Sequence, residues 1–225
     1  MSQSSQVALF NPSNKNQRLI FSNLYLGTPI MQEKGPMVEE YLRALASVVN
    51  QATRQYRSVF AVRFDLRFPR WMHISDEVTD NRFIVRFIES FKAKIKHNRK
   101  MVRLESGYAH DCKVRYVWAR EVGYDGRVHY HVALLLNRDA FFALGRFDSE
   151  EPNTANRVAE AWASALGLHP EQARGLIHFP KNASYRLEAS SQDSLSTFFY
   201  RASYLCKVDT KMFGFGHHGF GCSRI

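Results

Sequence analysis

Cysteine is scarce in this chain: Cys112, Cys206 and Cys222 are an odd number and form no C-x-x-C pair. That argues against a disulfide framework or a cysteine-ligated zinc site, and reduced thiols in a cytoplasm are the expectation. Long apolar runs are lacking too. No stretch of about eighteen apolar residues occurs, and Met1-Ser2-Gln3-Ser4-Ser5-Gln6 has no charged region leading into an apolar one, so neither a membrane span nor a signal peptide is expected. There is no internal repeat or low-complexity tract. Acidic residues are in short supply as well: 21 Asp and Glu against 31 Lys and Arg leave a net charge of +10, the bias of a chain that meets a polyanion.

What is present suits one large domain with an appended segment, and 225 residues are enough to bury a substantial core. Residues 1 to about 35 are polar and carry the breakers Asn11-Pro12 and Gly35-Pro36, which predicts an irregular lead-in. From Met37 to Tyr56, apolar residues recur at three- and four-residue spacing and predict a helix that packs on the domain after it; residues 1–57 read as an N-terminal extension and 58–225 as the main domain. Ser58 to Phe68 alternates, with Phe60, Val62, Phe64, Leu66 and Phe68 on one face and Ala61, Arg63, Asp65 and Arg67 on the other, as a half-buried strand does. Thr79-Asp80 then caps a helix that buries Ile84, Phe87, Ile88, Phe91 and Ile95. Its outer side gathers Lys92, Lys96, Arg99, Lys100 and Arg103, a candidate nucleic-acid contact surface. A short helix over Asp139–Leu144, a longer one from about Asn153 to Leu166 and two short strands, 175–179 and 183–188, come next.

The informative stretch is Arg127-Val128-His129-Tyr130-His131, at the mouth of the apolar run Val132 to Leu136. Alternate residues of a strand share a face, so His129 and His131 present two imidazoles side by side. A preceding strand, residues 113–121, enters a hairpin marked by Asp125-Gly126, and the turn length decides the chemistry. A two-residue turn pairs Glu121 with Tyr130 and turns the carboxylate to the wrong face. A three-residue loop, 124–126 with Gly126 left-handed, pairs Glu121 with His129 and Ala119 with His131, bringing two imidazoles and a carboxylate together as candidate metal ligands. The second register is the expectation.

The last helix, about Gln192 to Cys206, clusters Leu195, Phe198, Phe199, Ala202 and Cys206 on one arc, with Tyr200, Tyr204 and Lys207 grouped roughly opposite. Glu121 with His129-Tyr130-His131, and after them Tyr200-Arg201-Ala202-Ser203-Tyr204-Leu205-Cys206-Lys207, resembles the HUH endonuclease superfamily of Rep proteins and relaxases. Tyr-Leu-Cys-Lys, Thr210-Lys211 and the terminal Phe220-Gly221-Cys222-Ser223-Arg224 are similar to the inovirus-type replication initiators of filamentous phages, prophages and phage satellites. The resemblance spans about Ser58 to Arg224.

It implies an α+β fold with a central, mainly antiparallel sheet of about five strands flanked by helices. It also implies site- and strand-specific nicking and joining of single-stranded DNA in a bacterial or phage-infected cell, with Mg²⁺ or Mn²⁺ held by His129, His131 and Glu121. Tyr204 is then the nucleophile, Tyr200 its alternate, and Lys207 a charge against the phosphate. A replication helicase of host or phage is the implied partner. The chemistry calls for these residue types, because a phenol with a pKa near 10 is ionised in only about one molecule in a thousand at neutral pH and needs activation. Two rivals stand beside this reading: a non-catalytic DNA-binding regulator on the same fold, and a metal-dependent hydrolase that forms no protein adduct.

Overall fold

Alternation and helical periodicity set most element boundaries in a computed structural model of the chain, which describes residues 9–72, 81–123, 125–146, 149, 152–209 and 218–224. The first stretch departs from the expected irregular lead-in. It forms short pairings, with β1 (Phe10–Asn11), β2 (Asn14–Ile20) and β5 (Met37–Val38) in one small sheet and β3 (Leu24–Tyr25) paired to β4 (Thr28–Pro29). Tyr25, Ile30, Met31 and Met37 are buried there, enough apolar side chains to tie a polar segment onto the body of the protein.

Next come α1 (Glu39–Gln55), β6 (Val59–Arg67), α2 (Arg82–Ser106), β7 (Arg115–Val122) and β8 (Val128–Asn137). After them the chain forms α3 (Thr154–Leu166), α4 (Pro170–Arg174), β9 (Ile177–His178), β10 (Ser184–Leu187), α5 (Gln192–Ser203) and β11 (Phe220–Cys222). The fold is α+β. The main sheet runs β10-β6-β8-β7-β11, with β9 joined to β6 off that path; that is six strands where about five were expected, and every pairing is antiparallel.

The alternation of β6 divides the core in two. Phe60, Val62, Phe64, Leu66 and Phe68 share a cluster with Tyr130, Val132, Leu134 and Leu136 of β8 and with the inner faces of α2 and α3. The five residues expected to anchor α2, Ile84, Phe87, Ile88, Phe91 and Ile95, are all buried in it, and Trp162 of α3 sits at its centre, fully buried. On the opposite face Val59, Ala61, Val117, Ala119, Ala133 and Leu135 pack against α1 and α5. The three alanines among them leave room for helix side chains to pack onto the sheet. Leu42, Leu45, Val48, Val49 and Ala52 of α1 belong to this second cluster, so the helix before residue 58 shares a core with the sheet.

At the far edge, β11 places Gly221 opposite Trp118, whose ring lies where a Cβ would be, at 2.5 Å; glycine is required by that approach. The expected Thr79-Asp80 cap and the Thr210-Lys211 pair lie outside the described residues. The short helix expected over Asp139–Leu144 does not form. Asn137 instead makes a turn, with its side chain accepting from the Asp139 amide and its carbonyl from those of Ala140 and Phe141, and Phe141 is buried beneath Arg99 and Arg157. Tertiary packing overrides local periodicity here.

Candidate metal centre and tyrosine site

The β7–β8 hairpin adopts the three-residue register. Glu121 pairs with His129 and Ala119 with His131, and Gly126 is left-handed at φ 74°. Tyr124, within the loop, lies outside the described residues. Alternation then sends Glu121, His129 and His131 to the α1/α5 face of the sheet, at its hairpin end. His129 Nε2 lies 3.1 Å from His131 Nε2, and His131 Nε2 lies 3.3 Å from Glu121 Oε2. One ligand atom from each of the three residues falls within 4.8 Å of the others, so the cluster can hold a metal ion.

Tautomer logic strengthens that fit. His131 Nδ1 is 2.6 Å from Asp65 Oδ1 and His129 Nδ1 is 3.5 Å from the Arg127 carbonyl, and both partners are acceptors. In the neutral rings, therefore, each Nδ1 carries the hydrogen and each Nε2 lone pair points inward. Two imidazole lone pairs and a carboxylate oxygen then converge on one point, a donor set that suits a cation. Two nitrogens bound to one ion at about 2.1 Å sit roughly 3.0–3.4 Å apart for angles between 90° and tetrahedral, which brackets the separation found here. A carboxylate on the far side of a ligating imidazole is the usual second support of such sites.

Burial makes the charges interdependent. Burial lowers the pKa of His131, but its hydrogen bonds to Asp65 and Glu121 outweigh that and raise it. His129 is pushed down by burial and by the neighbouring His131. Asp65, which burial would raise, is instead held low by its hydrogen bonds to His131 and to His178, whose Nδ1 is 3.2 Å from Oδ2. The two carboxylates beside His131 thus favour positive charge at this point of the site.

Above this cluster, α5 ends at Ser203 and tightens into a 3₁₀ turn, Tyr204–Cys206. In that geometry residues i and i+3 eclipse, which brings Lys207 over Tyr204 although the helix has already stopped. Lys207 Nζ donates to the Tyr204 hydroxyl at 2.9 Å and lies 3.1 Å from Glu121 Oε2. Burial would lower the lysine pKa, but the Tyr204 hydrogen bond and the Glu121 charge raise it, so it stays an ammonium. The Tyr204 ring stands edge-on to His131 with centroids 5.1 Å apart.

Five of the expected site residues therefore come together: Glu121, His129, His131, Tyr204 and Lys207. Tyr200 points elsewhere. Its hydroxyl donates to Glu33 at 2.8 Å, one helical turn back and half-exposed. Asp65 and His178 were not singled out from sequence; their signal was the Asp65↔His131 and Asp65↔His178 pairings, which join residues 66 and 113 apart.

Lys92, Lys96, Arg99, Lys100 and Arg103 line one groove of about 1390 Å³, together with Lys113 and Arg224. Lys92 pairs with Glu89 and Arg103 with Asp111, and Arg99 lies over the Phe141 ring at 4.8 Å. The groove opens beside the start of β7, whereas Glu121 lies at its end, about 20 Å away at roughly 3.3 Å per residue.

A family model described as the YagK/YfjJ C-terminal domain matches residues 22–223. The chain is 34% identical over 199 residues to "Uncharacterized protein YagK" of Escherichia coli (strain K12), covering 85% of this chain and 95% of that protein. It is 31% identical over 206 residues to "Uncharacterized protein YfjJ" of the same strain, covering 85% and 97%. No solved structure matches the chain.

Proposed function

We propose that this chain, which belongs to the YagK/YfjJ C-terminal domain family, is a metal-dependent endonuclease that nicks and rejoins single-stranded DNA through a tyrosine, as its resemblance to the HUH superfamily implies. One observation carries the reading: a three-ligand cluster of Glu121, His129 and His131 lies directly beneath a tyrosine whose hydroxyl accepts from a buried ammonium.

The residues divide the work. Tyr204 Oη attacks the phosphorus; the new O–P bond forms as the bond from phosphorus to the 3′-oxygen breaks. The phenol proton passes to solvent, and the departing oxygen takes one up as a 3′-hydroxyl. Lys207, an ammonium that can only donate, stabilises the negative charge that grows on Tyr204 Oη. Glu121, His129 and His131 hold the ion, with Asp65 fixing the His131 ring and His178 fixing Asp65. Bound Mg²⁺ or Mn²⁺ supplies Lewis-acid polarisation of the scissile phosphate. The covalent 5′-phosphotyrosine conserves the bond for rejoining, as initiation of rolling-circle replication or nicking of a competing phage genome requires.

Incubation with single-stranded oligonucleotides and Mn²⁺, and then a denaturing gel, separates this reading from its rivals. A covalent adduct lost in Tyr204→Phe is expected. Nicked product without an adduct would indicate a metal-dependent hydrolase. Binding without cleavage would indicate a DNA-binding regulator acting through the basic groove.

A further inference from the structure

Two residues before Asp65 on the same face of β6, Arg63 is 8% exposed, and its Nε is fully buried with no hydrogen-bond partner. Among the described residues no carboxylate lies within ion-pair distance of it; Asp65 is already engaged by His131 and His178. Next to it stands Tyr185 of β10, whose buried hydroxyl also has no hydrogen-bond partner and whose ring packs edge-on against Phe198. Burial and Arg201, one turn beyond Phe198 on α5, oppose the Arg63 charge, whereas Tyr185 and Asp65 favour it, and burial prevails. Arg201 lies three residues before Tyr204, in the last turn of α5.

Burying a guanidinium without a carboxylate in ion-pair contact is costly, and a second arginine within electrostatic reach makes the cost larger. Two arginines, one of them with an unpartnered buried Nε, and an unpartnered hydroxyl are what an anion would complete, and the planar fork of arginine suits a phosphate. The position narrows the choice: Arg63 lies two residues, about 6.6 Å, along β6 from Asp65, which supports His131 at the metal cluster, so an anion there would neighbour the one at Tyr204. We infer that Arg63, Arg201 and the Tyr185 hydroxyl form a phosphate-binding subsite that holds a backbone phosphate of the DNA strand next to the one at Tyr204. This rests on the nucleic-acid reading of the same face, but it needs no cleavage to be tested.

The test uses the full-length protein in a Tyr204→Phe background without added metal. It measures thermal melting with and without inorganic phosphate, and the affinity of a twelve-nucleotide single strand across a salt series. Phosphate is expected to raise the melting temperature of the parent but not of Arg63→Met. Arg63→Met should bind the strand about tenfold or more weakly, with a salt slope smaller by about one. Because an unpaired buried charge is removed, the same substitution should raise the ligand-free melting temperature by about 2–4 °C, whereas loss of a structural arginine would lower it. Arg201→Gln, at a half-exposed position, repeats the affinity test should Arg63→Met fold poorly. Unchanged strand affinity and salt slope in both variants would overturn the subsite. Phosphate protection without any change in strand affinity would also overturn it, because the subsite would then take a free phosphate. A protein that never forms an adduct but loses strand affinity in these variants would keep the subsite and refute only the nicking chemistry.

Discussion

The two faces of the main sheet are built from the same strands and serve opposite ends. Toward α2 and α3 the side chains are large and apolar, with Phe64, Phe68, Tyr130 and Trp162 in edge-on or tilted aromatic contacts. Toward α1 and α5 they are small, Ala61, Ala119 and Ala133, and at the hairpin end they give way to Arg63, Asp65, Glu121 and His131, all buried or nearly so. A strand's two-residue period assigns each residue to one face. Stability can therefore be concentrated on one side, leaving the other free to carry buried charges that cost stability. Trp162 links the two sides: it fills the apolar core while its indole Nε1 donates to the Arg67 carbonyl, at the end of the strand that carries Asp65.

Substitutions on the two faces should therefore separate cleanly. The largest effect is expected at Tyr204: Tyr204→Phe should abolish the covalent adduct while leaving the melting temperature close to the parent's, whereas Tyr200→Phe, which only loses the bond to Glu33, should retain most of it. Comparable gel intensities for the two variants would erase the distinction between the two tyrosines. On the opposite face Phe64→Ala should cost about 3–5 kcal/mol in urea unfolding, and the protein that remains folded should bind Mn²⁺ with parent affinity. A shared loss of metal binding would mean that the faces are not independent.

A smaller effect is expected at Asp65. Asp65→Asn keeps the shape but weakens the hold on His131, and should lower metal affinity by about 10–100-fold in calorimetry. The smallest concerns Cys112, packed against the apolar cluster, whose thiol burial pushes up to about 11. Its thiolate fraction at pH 8 should be roughly a hundredfold below that of an ordinary thiol, and its alkylation correspondingly slow. The raised value also sets a sign: the protonated thiol favours the folded state, so this contribution is present below the thiol's unfolded pKa and is lost as pH rises toward 11.

Local signals in the sequence were enough to name five of the seven residues that meet at the site. The loop length after Glu121 determined that its carboxylate meets His129, because a hairpin register depends only on neighbouring residues. The buried face of α2 came from its own spacing. Asp65 and His178 were beyond reach, since their roles depend on β6 pairing with β8 and β9, which join distant parts of the chain. Lys207 reached Tyr204 by a different route from the helical wheel, through a 3₁₀ turn that periodicity does not reveal. The wheel also placed Tyr200 beside Tyr204 without showing that Glu33, far back in the chain, engages its hydroxyl. The short pairings of residues 10–38 escaped for the same reason: they are held by a core contributed from elsewhere.

The central claim is that Tyr204 forms a covalent bond with DNA beside the metal cluster. Its most direct test is mass spectrometry of the proteolysed protein after reaction with a single-stranded oligonucleotide and Mn²⁺. The account predicts a phosphonucleotide on the peptide containing Tyr204, absent when His129→Ala removes a metal ligand. A modification confined to Tyr200, or cleaved DNA with no modified peptide, would contradict it.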